Sequence, residues 1–230
     1  MIEVWRLRLP QATGALAELF ARLLPEERAR AERFHRLEDR LRFAVGRAAL
    51  RERLAACLQV AATAVPLITG TNGKPELAGS APRWEFNVTH SGEYVLLALA
   101  WGLAVGIDVE KHRDLDGSEL SLHCFSPDER AALAALRPKE RADAFFAVWT
   151  RKESVLKAMG VGLSFPLDQF SVSASPEEEP RLLAWSGGGE YSGRWRLWQL
   201  EVAAGYSAAL AARDCPDAPG LTVRGWDPDL

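Results

Sequence analysis

The chain has 230 residues, 48% of them hydrophobic, which is ample for a packed core in one large domain or two small ones. Its 28 basic and 31 acidic residues are interspersed and leave a formal net charge of -3, which argues against a general nucleic-acid or membrane-surface binder. Three cysteines, Cys57, Cys124 and Cys215, lie far apart in a pattern that is neither a disulfide framework nor a zinc site, favouring a reducing, cytoplasmic compartment.

The N-terminal MIEVWRLRLP is too charged for a signal peptide. Residues Glu3 to Leu9 alternate in polarity, a half-buried strand ended by Pro10. Helical spacing follows from Gly14 to Leu24. A further helical segment begins at Pro25 with its acids leading (Glu26, Glu27) and runs through Phe34. The next helix spans about Asp39 to Leu58, and its arginines, including Arg42 and Arg47, spread over several faces as solvated residues do. In TNGKPEL (71–77) the Asn-Gly pair marks a turn, and Lys74, before Pro75, must be extended. By itself Lys74 reads as an ordinary surface lysine.

A strand from Trp84 reaches the polar cluster Asn87, Thr89, His90 and Ser91, and Gly92 turns the chain back. A histidine among small hydroxyl residues can hold a ligand phosphate or cap a turn, and the local sequence favours neither. The nearly uncharged run Tyr94 to Ile107 is shorter than the roughly 18 residues that a membrane span needs, and Trp101-Gly102 divides it into two core strands of a hairpin. VGIDVE (105–110) puts Asp108 and Glu110 on one face of a strand. Ser126-Pro127-Asp128-Glu129 is a helix start with an N-cap serine and an N1 proline. A second helix, about Lys139 to Met159, carries Phe145, Phe146 and Trp149 and sets Glu153 and Lys157 on one face, ending at Gly160 to Gly162. Residues 165–210 read as several strands and turns, and the tail after Cys215 as loosely ordered.

Taken singly, an Asp-x-Glu and a Glu-x3-Lys are common surface patterns worth little. Here Asp108 follows a buried strand and Glu153 lies among core residues, so each needs a partner. If that helix packs on that strand, three carboxylates converge on a site for a hard divalent cation such as Mg2+, with Lys157 beside it for phosphate. A faint repeat accompanies the pattern. PEERA (25–29) recurs as PDERA (127–131) and FAV (43–45) as FAV (146–148) at nearly equal offsets, whereas WRLRL (5–9) and WRLWQL (195–200) do not keep the offset. The matched helices suggest two similar halves packed face to face around a cleft, with acids only in the second.

The strings FNVTHSG (86–92), VGIDVE (105–110), FSPDE (125–129) and WTRKESVLKAMGVGLSFPLDQF (149–170) resemble the 4'-phosphopantetheinyl transferase superfamily over about residues 5–210. Length and the GKP loop are similar to its surfactin-synthetase-activating type. That resemblance implies an α+β pseudo-dimer with the ligand cleft between its halves: 1–104 gripping coenzyme A, 105–215 carrying metal and acids, and 216–230 a tail. It implies that Asp108, Glu110 and Glu153 hold Mg2+ at the coenzyme A pyrophosphate, that Glu153 deprotonates a carrier-protein serine, and that Lys157 contacts phosphate. The serine would attack the β-phosphate and release 3',5'-ADP. Coenzyme A contacts map to Lys74, Thr89 and His90, with Arg42 and Arg47 toward the 3'-phosphate or adenine. Thr89 stands where serine is usual, and Glu27 where a lysine can occur, leaving Arg30 for phosphate on that helix. The implied partners are coenzyme A and an acyl or peptidyl carrier protein, met through Leu115 to Leu122 and Phe125, with the chain acting as a monomer without nucleic acid or membrane. A hydrolase of nucleotide pyrophosphates and a non-enzymatic carrier-binding scaffold are the competing classes.

Overall fold

The structure is a computed structural model that describes residues 1–10, 14–70, 73–79, 83–113, 124–162, 165–186, 188, 193–215 and 220–226. The first half contains β1 (Ile2–Arg8), α1 (Ala15–Ala21), α2 (Pro25–Glu32) and α3 (Leu37–Leu58), then β2 (Leu67–Thr69), β3 (Pro75–Leu77), β4 (Trp84–Ser91) and β5 (Tyr94–Trp101). The second contains β6 (Val105–Lys111), α4 (Pro127–Ala134), α5 (Pro138–Met159), β7 (Phe170–Val172), β8 (Leu182–Trp185), β9 (Trp195–Gln199) and β10 (Tyr206–Arg213). It is followed by β11 (Leu221–Trp226). Helices and mainly antiparallel strands make this an α+β protein. Among the described residues no helix is long and apolar enough to cross a membrane.

The two helix starts share one device. At α2 the Glu27 carboxylate accepts from the Leu24 N–H (3.0 Å), and at α4 the Glu129 carboxylate accepts from the Ser126 N–H (2.8 Å). A proline opens each helix, where its missing N–H costs nothing. Both glutamates are buried, and each then reaches a cation on the following 22-residue helix: Glu27 meets Arg51 (2.9 Å) and Glu129 meets Lys152 (2.7 Å). Each carboxylate therefore caps one helix and ties it to the next.

Four layers result. One sheet has the order β11-β1-β5-β4 and the other β6-β10-β9. Helix α3 covers the outer face of the first through Val95, Leu97 and Leu99, and α5 covers the second through Ala211. Between the sheets, Leu96, Ala98 and Ala100 meet Val105, Ile107, Val109 and Leu210. Strand β5 is buried on both faces, which is why its sequence runs apolar instead of alternating.

Two expectations are corrected. Tyr94 to Ile107 is not one hairpin: β5 pairs with β4 on one edge and β1 on the other, so no edge remains for β6, which pairs with β10. The tail is not loose where it is described, because residues 221–226 form a strand parallel to β1.

Strand β4 reaches the second sheet through side chains. Asn87, Thr89 and Ser91 share one face of the strand. Asn87 Oδ1 accepts from the Ile107 N–H and Ser91 Oγ from the Lys111 N–H, both at 3.0 Å, where a neighbouring strand would supply carbonyls. Gly92, at φ +54°, makes the β4–β5 turn, and a Cβ there would lie 2.1 Å from the Tyr206 hydroxyl.

Candidate active site

Helix α5 lies directly on β6. Gly106 makes the approach possible, since a Cβ on it would stand 2.1 Å from the Ser154 carbonyl oxygen and 2.3 Å from the Ala158 nitrogen. Along β6 the alternate residues Ile107 and Val109 enter the inter-sheet core, so Asp108 and Glu110 face α5.

A cavity of about 320 Å3 opens there, lined by Val88, Thr89, His90, Asp108, Glu110, Trp149, Glu153 and Lys157. The three expected carboxylates and the lysine thus share one cavity. Lys157 does not pair with Glu153 one turn earlier. Its ammonium donates to Asp108 Oδ1 (2.6 Å) and to the Thr89 hydroxyl (3.2 Å), and Thr89 itself donates to Asp108 Oδ1 (3.0 Å). Ser91 donates to Glu110 Oε2 (2.9 Å).

Each carboxylate is held differently. Asp108 Oδ2 and Glu153 Oε1 are buried and have no hydrogen-bond partner among the described residues. Burial, opposed by Lys157 and reinforced by Asp108 and Glu110, pushes the Glu153 carboxyl up to about 7. Burial and the neighbouring Asp108 also raise Glu110. Among the described residues no group of three His, Cys, Asp or Glu side chains is drawn together tightly enough to form a metal cage as it stands. The donor set nonetheless fits a hard cation: three carboxylates on one cavity, two of them with an orphaned buried oxygen.

A second cavity, of about 160 Å3, shares Val88 and His90 with the first and is lined also by Arg30, Arg42, Phe43 and Arg47. The guanidinium groups of Arg30 and Arg47 lie 5.4 and 5.5 Å from the Phe43 ring centre. Arg42 donates to the Gly92 carbonyl (2.9 Å) and pairs with Asp39 (2.6 Å), while Arg47 lies 3.5 Å from Glu27. Burial lowers Arg47, and burial together with Arg42 lowers His90. Lys74 is half-buried between Gly73 and Pro75, which line this cavity, and its ammonium donates to the Lys157 carbonyl (3.4 Å).

Several roles are not visible in the sequence. Glu27, there a leading acid of its helix in a place where a lysine can occur, is a buried ion-pair partner. Lys152 is wholly enclosed between Glu129 and the Phe170 carbonyl, and Arg151 is enclosed as well, donating to the Ser173 and Ser175 carbonyls. Ser91 is a hydroxyl partner of Glu110, and Trp149 is a cavity wall. The alternation of Asn87, Thr89 and Ser91 was the available signal for Ser91, and its spacing four before Glu153 the signal for Trp149. The expected carrier-binding segment Leu115 to Leu122 lies outside the described residues, whereas Phe125 is buried in the second-half core.

Two family models match the chain in succession: "4'-phosphopantetheinyl transferase, N-terminal" over residues 10–101 and "4'-phosphopantetheinyl transferase superfamily" over residues 104–211. The chain is 35% identical over 230 residues to the 4'-phosphopantetheinyl transferase HetI of Nostoc sp., spanning 99% of this chain and 90% of that one. It is 35% identical over 148 residues to the 4'-phosphopantetheinyl transferase Sfp of Bacillus subtilis, covering 64% and 65% of the two chains. Among solved structures, the holo-[acyl-carrier-protein] synthase of Thermotoga maritima superposes with a TM-score of 0.38 at 17% identity, over 49% of this chain and 64% of that one.

Proposed function

The chain belongs to the 4'-phosphopantetheinyl transferase superfamily and is an enzyme of that kind, and from that membership we propose that it moves phosphopantetheine from coenzyme A to a serine of an apo acyl or peptidyl carrier protein. The observation that carries the reading is the pair of adjoining cavities. One is lined by three carboxylates and Lys157, the other by Arg30, Arg42, Arg47 and His90. A diphosphate flanked by an adenosine 3'-phosphate suits that division, with phosphates against cations and a reacting centre beside the acids.

In this reading Asp108, Glu110 and Glu153 would hold Mg2+, which when bound would supply positive charge against the phosphates. Lys157 is already inside the site and adds a cation for charge developing on phosphate. Glu153, lining the cavity with the other two acids, accepts the proton of the carrier serine. The serine oxygen forms a bond to the β-phosphorus, the bond from that phosphorus to the bridging oxygen breaks, and 3',5'-ADP leaves with the bridging oxygen. Lys74 and Arg47 are lowered by burial, a cost that an anionic ligand would relieve.

The two halves act as a pseudo-dimer: 1–104 grips the coenzyme, 105–215 supplies metal and acids, and 216–230 follows them. Support comes from the shared capping and ion-pair device of α2–α3 and α4–α5, and from family matches that meet between residues 101 and 104. Both halves already lie in one chain, so a monomer suffices. The free Cys57, Cys124 and Cys215 fit a reducing, cytoplasmic setting. Incubation with coenzyme A, Mg2+ and apo carrier proteins should add one phosphopantetheine mass to a single serine. No mass change over a varied panel of carriers would overturn the proposal.

A further inference from the structure

His112 follows β6 and continues the row of residues that faces α5: Gly106, Asp108, Glu110, His112. Its backbone N–H donates to the Gly205 carbonyl (2.8 Å), keeping it in register beyond the strand. The ring makes three contacts. Nδ1 lies 3.0 Å from Asp143 Oδ1 on α5, and Nε2 lies 2.8 Å from the Ser207 hydroxyl on β10. The ring plane stacks on Phe146 of α5, 4.7 Å between centres and 7° from parallel. A neutral ring donating at Nδ1 to the carboxylate and accepting at Nε2 from the hydroxyl satisfies both partners with one tautomer.

The order Asp-His-Ser is that of a nucleophilic relay, but Ser207 is buried and pairs across the ladder with Glu110. The relay is therefore suited to holding a shape. Helix α5 is pinned to β6 at two points. At one, Gly106 admits the backbone of Ser154, Lys157 and Ala158; at the other, His112 grips Asp143 and Phe146. The pins are six residue steps apart along β6 and its continuation, from Gly106 to His112, roughly 20 Å, and twelve steps apart on α5, from Phe146 to Ala158, roughly 18 Å. Asp108 and Glu110 lie between the pins on the strand, and Trp149 and Glu153 lie between them on the helix.

We propose that His112 is a positioning residue for the divalent-cation site, fixing the distance between the Glu110 carboxylate on β6 and the Glu153 carboxylate on α5. Removing it leaves that end of the helix held by its core side chains, among them Phe145 and Val148, without the fixed tie to β6, and ordering the carboxylates around one cation then costs more conformational entropy. The inference rests on the metal reading of the carboxylates given above.

The test is a titration of the full chain with Mn2+, followed by electron paramagnetic resonance, without carrier or coenzyme A. His112→Ala should weaken Mn2+ binding about tenfold. Asp143→Ala, at an exposed position, should weaken it in the same direction by a smaller factor. His112→Asn, whose amide takes the Nδ1 position, should recover part of the loss. Coenzyme A binding measured in chelator should be unchanged in all three. Asp108→Ala serves as the reference. If it abolishes Mn2+ binding while His112→Ala and Asp143→Ala stay within about twofold of the unaltered chain, His112 has only a structural role and the inference fails alone. If Asp108→Ala also binds normally, the metal reading fails and takes the inference with it.

Discussion

Glu153 faces opposed demands in the free chain. It is buried against the core side of α5, yet one of its oxygens has no hydrogen-bond partner among the described residues, and Asp108 and Glu110 stand near it. Its carboxyl rises from an ordinary 4.5 to about 7, so folding favours the protonated form. That preference stabilises the fold fully below about pH 4.5 and is lost as pH rises through about 7. Glu153→Gln should therefore stabilise the metal-free protein at pH 8 by on the order of 1–3 kcal/mol, with the difference vanishing toward pH 4.5. Chemical denaturation at several pH values in chelator measures this. Divalent cation should close the gap by stabilising only the unaltered protein. Glu129 makes the opposite case. Its carboxylate is the counter-charge for a Lys152 ammonium with no exposure to water, and it also accepts from the Val172 N–H (2.8 Å). Glu129→Ala should cost about 3–5 kcal/mol by denaturant unfolding, since it strands a buried charge. Glu27→Ala should cost less, because Arg51 keeps the Ala62 and Val65 carbonyls at 3.0 and 3.1 Å.

At the scale of elements, the site depends on how closely α5 rides on β6. Gly106→Ala would bring a methyl group against helix backbone, which cannot yield as a flexible side chain can. It should destabilise the fold by roughly 1–3 kcal/mol and lower transferase activity more than Glu27→Ala does, a comparison that activity at matched folded fraction provides. The sequence made α5, β6 and the convergence of Asp108, Glu110 and Glu153 legible, because periodicity and burial constrain them locally. It did not reveal that Lys157 pairs with Asp108 across the interface in preference to Glu153 on its own helix. That choice depends on the Thr89 hydroxyl, which arrives from the other sheet. Nor did it separate β5 from β6, since strand partners are chosen by long-range contacts and β10 joins β6 from about a hundred residues away. Lys152 looked like any other charge in a helix, and only the positions of α4 and of Phe170 on β7 enclose it.

At the scale of the molecule, two helix-on-sheet units meet through their sheets, and the cleft between β4 and β6 is closed by side chains in place of a backbone ladder. Asn87, Thr89 and Ser91 thus serve both cohesion and chemistry: two of them bind backbone N–H groups of β6, and two contact the acids. Neither unit should act alone, because the cationic cavity belongs to the first and the carboxylates of the acidic one come from the second, against a wall of Val88, Thr89 and His90 from the first. The most direct measurement of the central claim is a product balance on the intact chain with coenzyme A, Mg2+ and an apo carrier. Phosphopantetheinylated carrier and 3',5'-ADP should form one for one, and both should disappear in Asp108→Ala and Glu153→Ala. Release of 3',5'-ADP without carrier modification, or modification that survives Asp108→Ala, would contradict the account.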